Sequence, residues 1–318
     1  MVTVIRAKRK PAVLTSSGLA CLSTLPTINL ATGCLHDCLY CYIRGYRNYP
    51  GEHRIVLYEN TLELLQNELS RMAAKPRAVY FSPSSDLFQP APEVLELSHA
   101  ILQFLFSNGI GVAFLTKGTI PDCTLRLLIE HRELVRAQIG LISLDEGILE
   151  VFEPHAASPG RRLLQLETLI GGGVQAEARL DPILPGVTDS PEFLDKHLAS
   201  LARVGVGRIA AGVLFLRPGI LYWLNSRVSD KGMLQSLLHA YEGGQQTVMR
   251  GAQYPILNLS TEARREIFDG LGRAAAAHGI EVKICACKNA DLARGSCNIA
   301  GAWPRQSPDV VQPALVAV

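Results

Sequence analysis

Short apolar runs alternate with amphipathic stretches roughly every 30 to 35 residues along the chain, the mark of successive βα units around a parallel sheet. The runs near Thr27 to Leu30, Ala78 to Ser82, Val112 to Thr116, Val135 to Ser143, Val174 to Leu180 and Arg208 to Phe215 read as six strands. Between them, Thr61 to Met72, Pro92 to Ser107, Pro121 to His131, Arg161 to Ile170 and Ser190 to Val204 carry apolar residues at helical spacing. Several open on Pro, Ser, Thr or Asp, as helix starts do. Gly171-Gly172-Gly173 reads as a helix stop rather than a phosphate cradle, because no strand leads directly into it. A further helix, Ser260 to His278, and a short strand, Glu281 to Ile284, follow.

The chain has 318 residues, 48% of them hydrophobic, enough for one large domain with an appendage. Its 31 basic and 29 acidic residues include no long run of either sign, so obligate nucleic-acid binding is not expected. The cluster Arg6, Lys8, Arg9, Lys10 reads as a solvated tail. No signal-peptide pattern is present, and the longest apolar run, Ile209 to Leu224, is broken by Arg217, Pro218 and Gly219. A cytoplasmic location without membrane contact is therefore expected. Six of the eight cysteines fall in two tight groups, which in a reducing compartment favours metal ligation over disulfides.

The first group is Cys34, Cys38 and Cys41, spaced CxxxCxxC with Tyr40 before the third. Three thiolates within eight residues suit a [4Fe-4S] cluster with one iron left open. A zinc site would call for a second ligand pair, and His36 as fourth ligand would crowd a tetrahedron. The second group is Cys285, Cys287 and Cys297, spaced CxCx9C. It reads as an auxiliary [4Fe-4S] site, with a structural zinc or ordinary buried cysteines as alternatives and Cys21 or Cys123 available to complete the set.

The first motif resembles that of the radical S-adenosylmethionine (SAM) superfamily. The resemblance implies a partial (β/α)6 TIM-like barrel, here with a cysteine-rich C-terminal extension. It also implies a cluster that binds SAM and cleaves it reductively to a 5′-deoxyadenosyl radical, and an external electron donor such as flavodoxin or ferredoxin. The segments Ser82 to Pro90, Thr116-Lys117-Gly118, Ser143-Leu144-Asp145, Phe152-Glu153-Pro154 with Arg161, and Arg179 to Gly186 are similar to the spore-photoproduct-lyase-like branch. By that resemblance Ser85, Asp86, Lys117, Ser143, Glu153, Arg161 and Arg179 line the SAM cavity. The true spore lyases carry a hydrogen-donating cysteine where this chain has Pro83, which has no thiol to donate.

The expected division is an N-terminal extension over 1–25, the barrel over 26–225 and the cluster-bearing region over 226–318. Cys123, in the first turn after the third strand, is the candidate thiol for quenching a substrate radical; Tyr222, Tyr241 and Tyr254 are lesser candidates. The leading functional reading is an epimerase or oxidoreductase acting on a small molecule, such as a sugar in antibiotic or other natural-product biosynthesis. The alternatives are a DNA lesion lyase and a non-catalytic iron-sulfur redox protein.

Overall fold

The computed structural model describes residues 2–10, 12–17, 20–247, 255–286, 288–293, 299 and 303. In chain order, the first strands are β1 (Thr3–Ala7), β2 (Thr27–Ile28), β3 (Ala31–Thr32) and β4 (Arg54–Tyr58). Helix α1 (Thr61–Ser70), β5 (Ala78–Phe81), α2 (Pro92–Ser107), β6 (Gly111–Thr116), α3 (Asp122–Glu130) and β7 (Val135–Gly140) follow. Next come α4 (Glu146–Phe152), α5 (Pro159–Gly171), β8 (Gln175–Ile183), α6 (Pro191–Arg203) and β9 (Arg208–Val213). The chain continues through α7 (Pro218–Arg227), α8 (Lys231–His239), β10 (Gln245–Thr247), β11 (Ile256–Asn258), α9 (Thr261–Ala277) and β12 (Glu281–Ile284).

Seven strands form one sheet in the order β12-β9-β8-β7-β6-β5-β2, with every neighbouring pair parallel. The fold is α/β, with the parallel sheet that the alternating pattern implied and the partial TIM-like barrel that the family resemblance implied. Central strands are buried along almost their whole length, Ala78–Phe81 and Gly111–Thr116 among them, because helices cover the outer face. The helices deliver the apolar stripes that do this: α6 buries Leu194, His197, Leu198 and Leu201, while Ser190 caps its start by accepting the Phe193 N–H at 3.2 Å. Helix α5 ends at the glycine run, with Gly173 at φ +81°, a conformation glycine takes without cost.

Three features depart from the periodic reading. Strand β12 lies beyond the expected boundary at residue 225, yet it pairs with β9 and is a seventh strand of the same sheet. The strand from β8 runs on to Ile183 through a register shift between Leu180 and Ile183. A small separate sheet, β1-β4-β3, lies outside the periodic pattern because its members are short and half exposed. Among the described residues no helix is long and apolar enough to cross a membrane.

Candidate active site

At the C-terminal ends of the parallel strands lies a cavity of about 450 Å³. Its walls include Cys34, Cys38, Cys41, Ser85, Asp86, Lys117, Arg179, Asp181, Arg217, Cys285 and Lys288. Active sites of parallel barrels gather at this end because the βα loops converge there.

The cysteine loop is held from several sides. Gln89, fully buried, accepts the Leu35 N–H at 2.8 Å, and the Leu39 N–H donates to the Phe152 carbonyl at 3.0 Å. His36 Nδ1 donates to the His155 carbonyl at 3.0 Å, and its Nε2 lies 3.1 Å from the Asp86 carboxylate. His36 is thus committed to protein partners rather than turned to a metal. Arg44 donates to the carbonyls of Cys38 and Asp37 at 3.0 and 2.6 Å.

The donor set fits a cluster. Cys34, Cys38 and Cys41 are not in disulfides and share one cavity wall. Burial pushes all three thiols upward, and at Cys34 the neighbouring Asp86, Cys38 and Cys41 add to it. Three converging thiolates in such a place need a cationic partner, which iron supplies. Among the described residues, only Asp37, His53 and His155 bring three ligand atoms within 4.8 Å of one another. The sulfurs of Cys34, Cys38 and Cys41 do not all lie within that distance of one another.

Ser82 stands at φ +69°, unusual for a side-chain-bearing residue, and turns the chain from β5 into the cavity. Ser85 Oγ lies 2.7 Å from Ser82 Oγ. Asp86 accepts from the Phe88 N–H, the Thr116 hydroxyl and the Lys117 N–H at 2.8, 2.7 and 2.8 Å. Burial works to raise its carboxyl, but His36 and these donors hold it below the usual range. Lys117 reaches over the Tyr40 ring, its Nζ 5.5 Å from the centroid, with no hydrogen-bond acceptor among the described residues. Burial opposes its charge, yet Glu153 and Cys38 raise it above the ordinary lysine value. Gly140 makes this position possible: a Cβ there would meet Lys117 Cγ at 2.9 Å and Nζ at 3.2 Å.

On the opposite wall Asp181 accepts from Arg179 Nη2 at 2.7 Å and from Lys288 Nζ at 2.5 Å. Burial alone would raise its carboxyl, but Lys288 and Arg179 drive it far below the usual range. Arg179 also donates to Gln138 at 3.1 Å and faces Cys285 Sγ at 3.5 Å. Gly212 leaves room for this group, since a Cβ would sit 2.9 Å from Asp181 Oδ1.

Four of the seven residues expected around SAM, namely Ser85, Asp86, Lys117 and Arg179, line the cavity; Ser143, Glu153 and Arg161 are not among its lining residues. Ser143 is fully buried, its Oγ accepting the Asp145 N–H at 2.9 Å before α4. Glu153 is paired with Arg162 Nη1 at 2.5 Å and receives the Tyr40 hydroxyl. Arg161 turns to Asp122 at 3.2 Å on the outer side of α3. Cys123 is exposed, because α3 buries Thr124, Leu125 and Leu128 and position 123 is off that face. Tyr222 is exposed, Tyr241 is buried with its hydroxyl on the Leu214 carbonyl, and Tyr254 lies outside the described residues. Of the second cysteine group, Cys285 lines the cavity, while Cys287 and Cys297 lie outside the described residues. The periodic reading passed over Asp181, Arg217 and Lys288 as functional residues, and gave Cys21, also on the wall, a different role. Arg217 follows β9 and Lys288 lies beside the cysteine pair, whereas Asp181 lies within the C-terminal part of β8 and Cys21 in a short turn before β2, with no local signal in the sequence.

Relatives point the same way. A Mycobacterium tuberculosis protein described as uncharacterized is 29% identical over 207 residues, 62% of this chain and 61% of the relative, so the chain spans about 61% of its length. A radical SAM Nalpha-GlyT isomerase of Pseudomonas phage M6 is 26% identical over 188 residues, 58% of this chain and 38% of that protein. Among solved structures, spore photoproduct lyase complexed with dinucleoside spore photoproduct superposes with a TM-score of 0.66 at 17% identity, covering 88% of this chain and 81% of the other. A variant of that lyase with bound AdoMet gives 0.66 at 18% identity over the same shares, a likeness of fold. The profile of the radical SAM superfamily matches residues 28–196, more than half of the chain, and with the cysteine loop in place at the strand ends the chain belongs to that superfamily.

Proposed function

We propose that this chain is a radical SAM isomerase or oxidoreductase acting at a C–H bond of a small molecule, with a sugar of natural-product biosynthesis as one such substrate. When bound, the cluster at Cys34, Cys38 and Cys41 and SAM supply a 5′-deoxyadenosyl radical that takes a hydrogen atom from the substrate. The observation that carries the reading is one cavity bearing the three cluster thiols, Lys117 without a hydrogen-bonded carboxylate among the described residues, and further cysteines on its wall. Lys117 is placed for the methionyl carboxylate, and Ser85 for a neighbouring polar group of SAM.

The chain's own residues complete the cycle. Pro83 cannot return a hydrogen atom, and Cys123 is outside the cavity; Cys21 lines it, beside Leu22, Tyr80 and Leu115. Hydrogen transfer from the Cys21 thiol forms a C–H bond on the substrate radical and leaves a thiyl radical. One electron and one proton, supplied by a ferredoxin or flavodoxin and solvent, restore the thiol. Cys285, with Cys287 and Cys297, is assigned an auxiliary cluster. The same cavity carries Cys285, which supports electron exchange at short range.

The test is anaerobic reconstitution with iron and sulfide, followed by iron counting and EPR with and without SAM. About eight irons per chain, falling to about four in a Cys285→Ala, Cys287→Ala, Cys297→Ala variant that keeps its SAM-perturbed signal, support both assignments. About four irons in both proteins remove the auxiliary cluster. Absence of 5′-deoxyadenosine on reduction with SAM removes the radical reading.

A further inference from the structure

The cavity carries more positive side chains than Asp181 and one SAM carboxylate can pair. Arg179 and Lys288 share Asp181, and Arg44 is taken by Glu52 and by backbone carbonyls. Lys117 and Arg217 have no hydrogen-bond acceptor or carboxylate partner at their side chains among the described residues. SAM brings one carboxylate, and Lys117, beside the cluster loop, is the group placed for it.

Arg217 follows β9 and stands at the N-cap of α7, with Pro218 in the first helical position. Its Nε is buried without a partner. The guanidinium carbon is 5.5 Å from the Phe215 ring centroid and 6.0 Å from that of Tyr42, so aromatic walls flank it. No side chain caps α7, and its first turn adds a positive end to the same place. A guanidinium nitrogen buried without an acceptor is costly, and a bound anion removes that cost. The lower polarity beside the rings strengthens the resulting charge-assisted hydrogen bonds.

Building on the proposed radical chemistry, we infer that Arg217 docks an anionic group of the substrate, a phosphate or a carboxylate, while Lys117 takes that of SAM. The substrate is thus an anionic small molecule, held by its charged end with the reacting C–H turned toward the cluster wall.

The experiment uses the reconstituted, SAM-loaded protein with two probes, inorganic phosphate and acetate, titrated calorimetrically against wild type, Arg217→Gln and Arg217→Lys. Saturable binding of at least one probe to wild type is expected. It should weaken about tenfold or more in Arg217→Gln and recover in part in Arg217→Lys. The probe that binds more tightly identifies the substrate's anion. SAM affinity and iron content should match wild type in both variants. Equal probe binding by Arg217→Gln, or no binding of either probe to wild type, overturns the assignment. So does a fall in SAM affinity in Arg217→Gln, which moves Arg217 to the methionyl carboxylate. Should Arg217→Gln lose iron, Arg217→Lys decides: retained probe binding supports the site, and loss with full iron content overturns it. Failure of wild type to form 5′-deoxyadenosine would sink the radical reading separately, since probe binding is read without turnover.

Discussion

Glu153 and Asp181 are both buried carboxylates with cationic partners, one behind the cysteine loop and one on the opposite wall. Glu153 and Arg162 are fully sealed from solvent, and Glu153 also receives the Tyr40 hydroxyl, so this pair fastens the cysteine loop to the barrel. Asp181 faces the cavity and serves two cations, Arg179 at 13% and Lys288 at 21% side-chain exposure. The first pair spends its charge inside the scaffold; the second leaves an excess positive charge beside Cys285. Similar chemistry thus holds structure in one place and sets a field for ligands in the other.

The widest separation between them should come from Glu153→Gln, which leaves Arg162 buried without its counter-ion. A loss of about 3 to 5 kcal/mol in urea unfolding is expected, together with reduced iron uptake. Asp181→Asn should cost clearly less stability, since Arg179 and Lys288 reach water, while altering SAM-dependent chemistry; comparable losses in the two variants would erase the distinction.

Acid sharpens the comparison further. Burial without compensating charge lowers the His197 imidazole to about 4. Its neutral form is the native one, so its contribution is complete above the unfolded value near 6.5 and declines as pH falls from there toward about 4. Up to about 3 kcal/mol should be lost in that window, and His197→Phe should flatten it. Both carboxylates are depressed by their partners, so their contributions are present above the unfolded carboxylate range and fade only at lower pH. Stability against pH should therefore fall in two stages, the first belonging to His197.

Smaller effects address the space each group occupies. Gly140→Ala should displace Lys117 and weaken SAM binding about tenfold without loss of iron, as measured by equilibrium dialysis. The smallest concerns Cys21: in D2O without substrate, the deuterium fraction of 5′-deoxyadenosine should drop in Cys21→Ala and stay unchanged in Cys123→Ala. Equal fractions would place the Cys21 thiol out of reach of the 5′-deoxyadenosyl radical.

The strands and the cysteine loop were legible because both are local patterns: buried parallel strands read as apolar runs, and three cluster ligands lie within one turn of chain. Side-chain direction was less so. Arg161 and Arg162 are adjacent, yet helix phase sends one to Asp122 and the other to Glu153. Cys123 fell on the wrong face of α3 for the same reason. Asp181 and Lys288 meet only because β8, β9 and β12 are neighbours, a pairing set by tertiary packing over more than a hundred residues.

Strand β12 gives the molecule a timetable. Its place at the edge of the sheet means that Cys285 and Lys288 close a wall whose other parts, from the cysteine loop to Arg217, leave the ribosome much earlier. The cysteine loop is thus made first, and the wall that faces it is complete only once β12 has paired with β9.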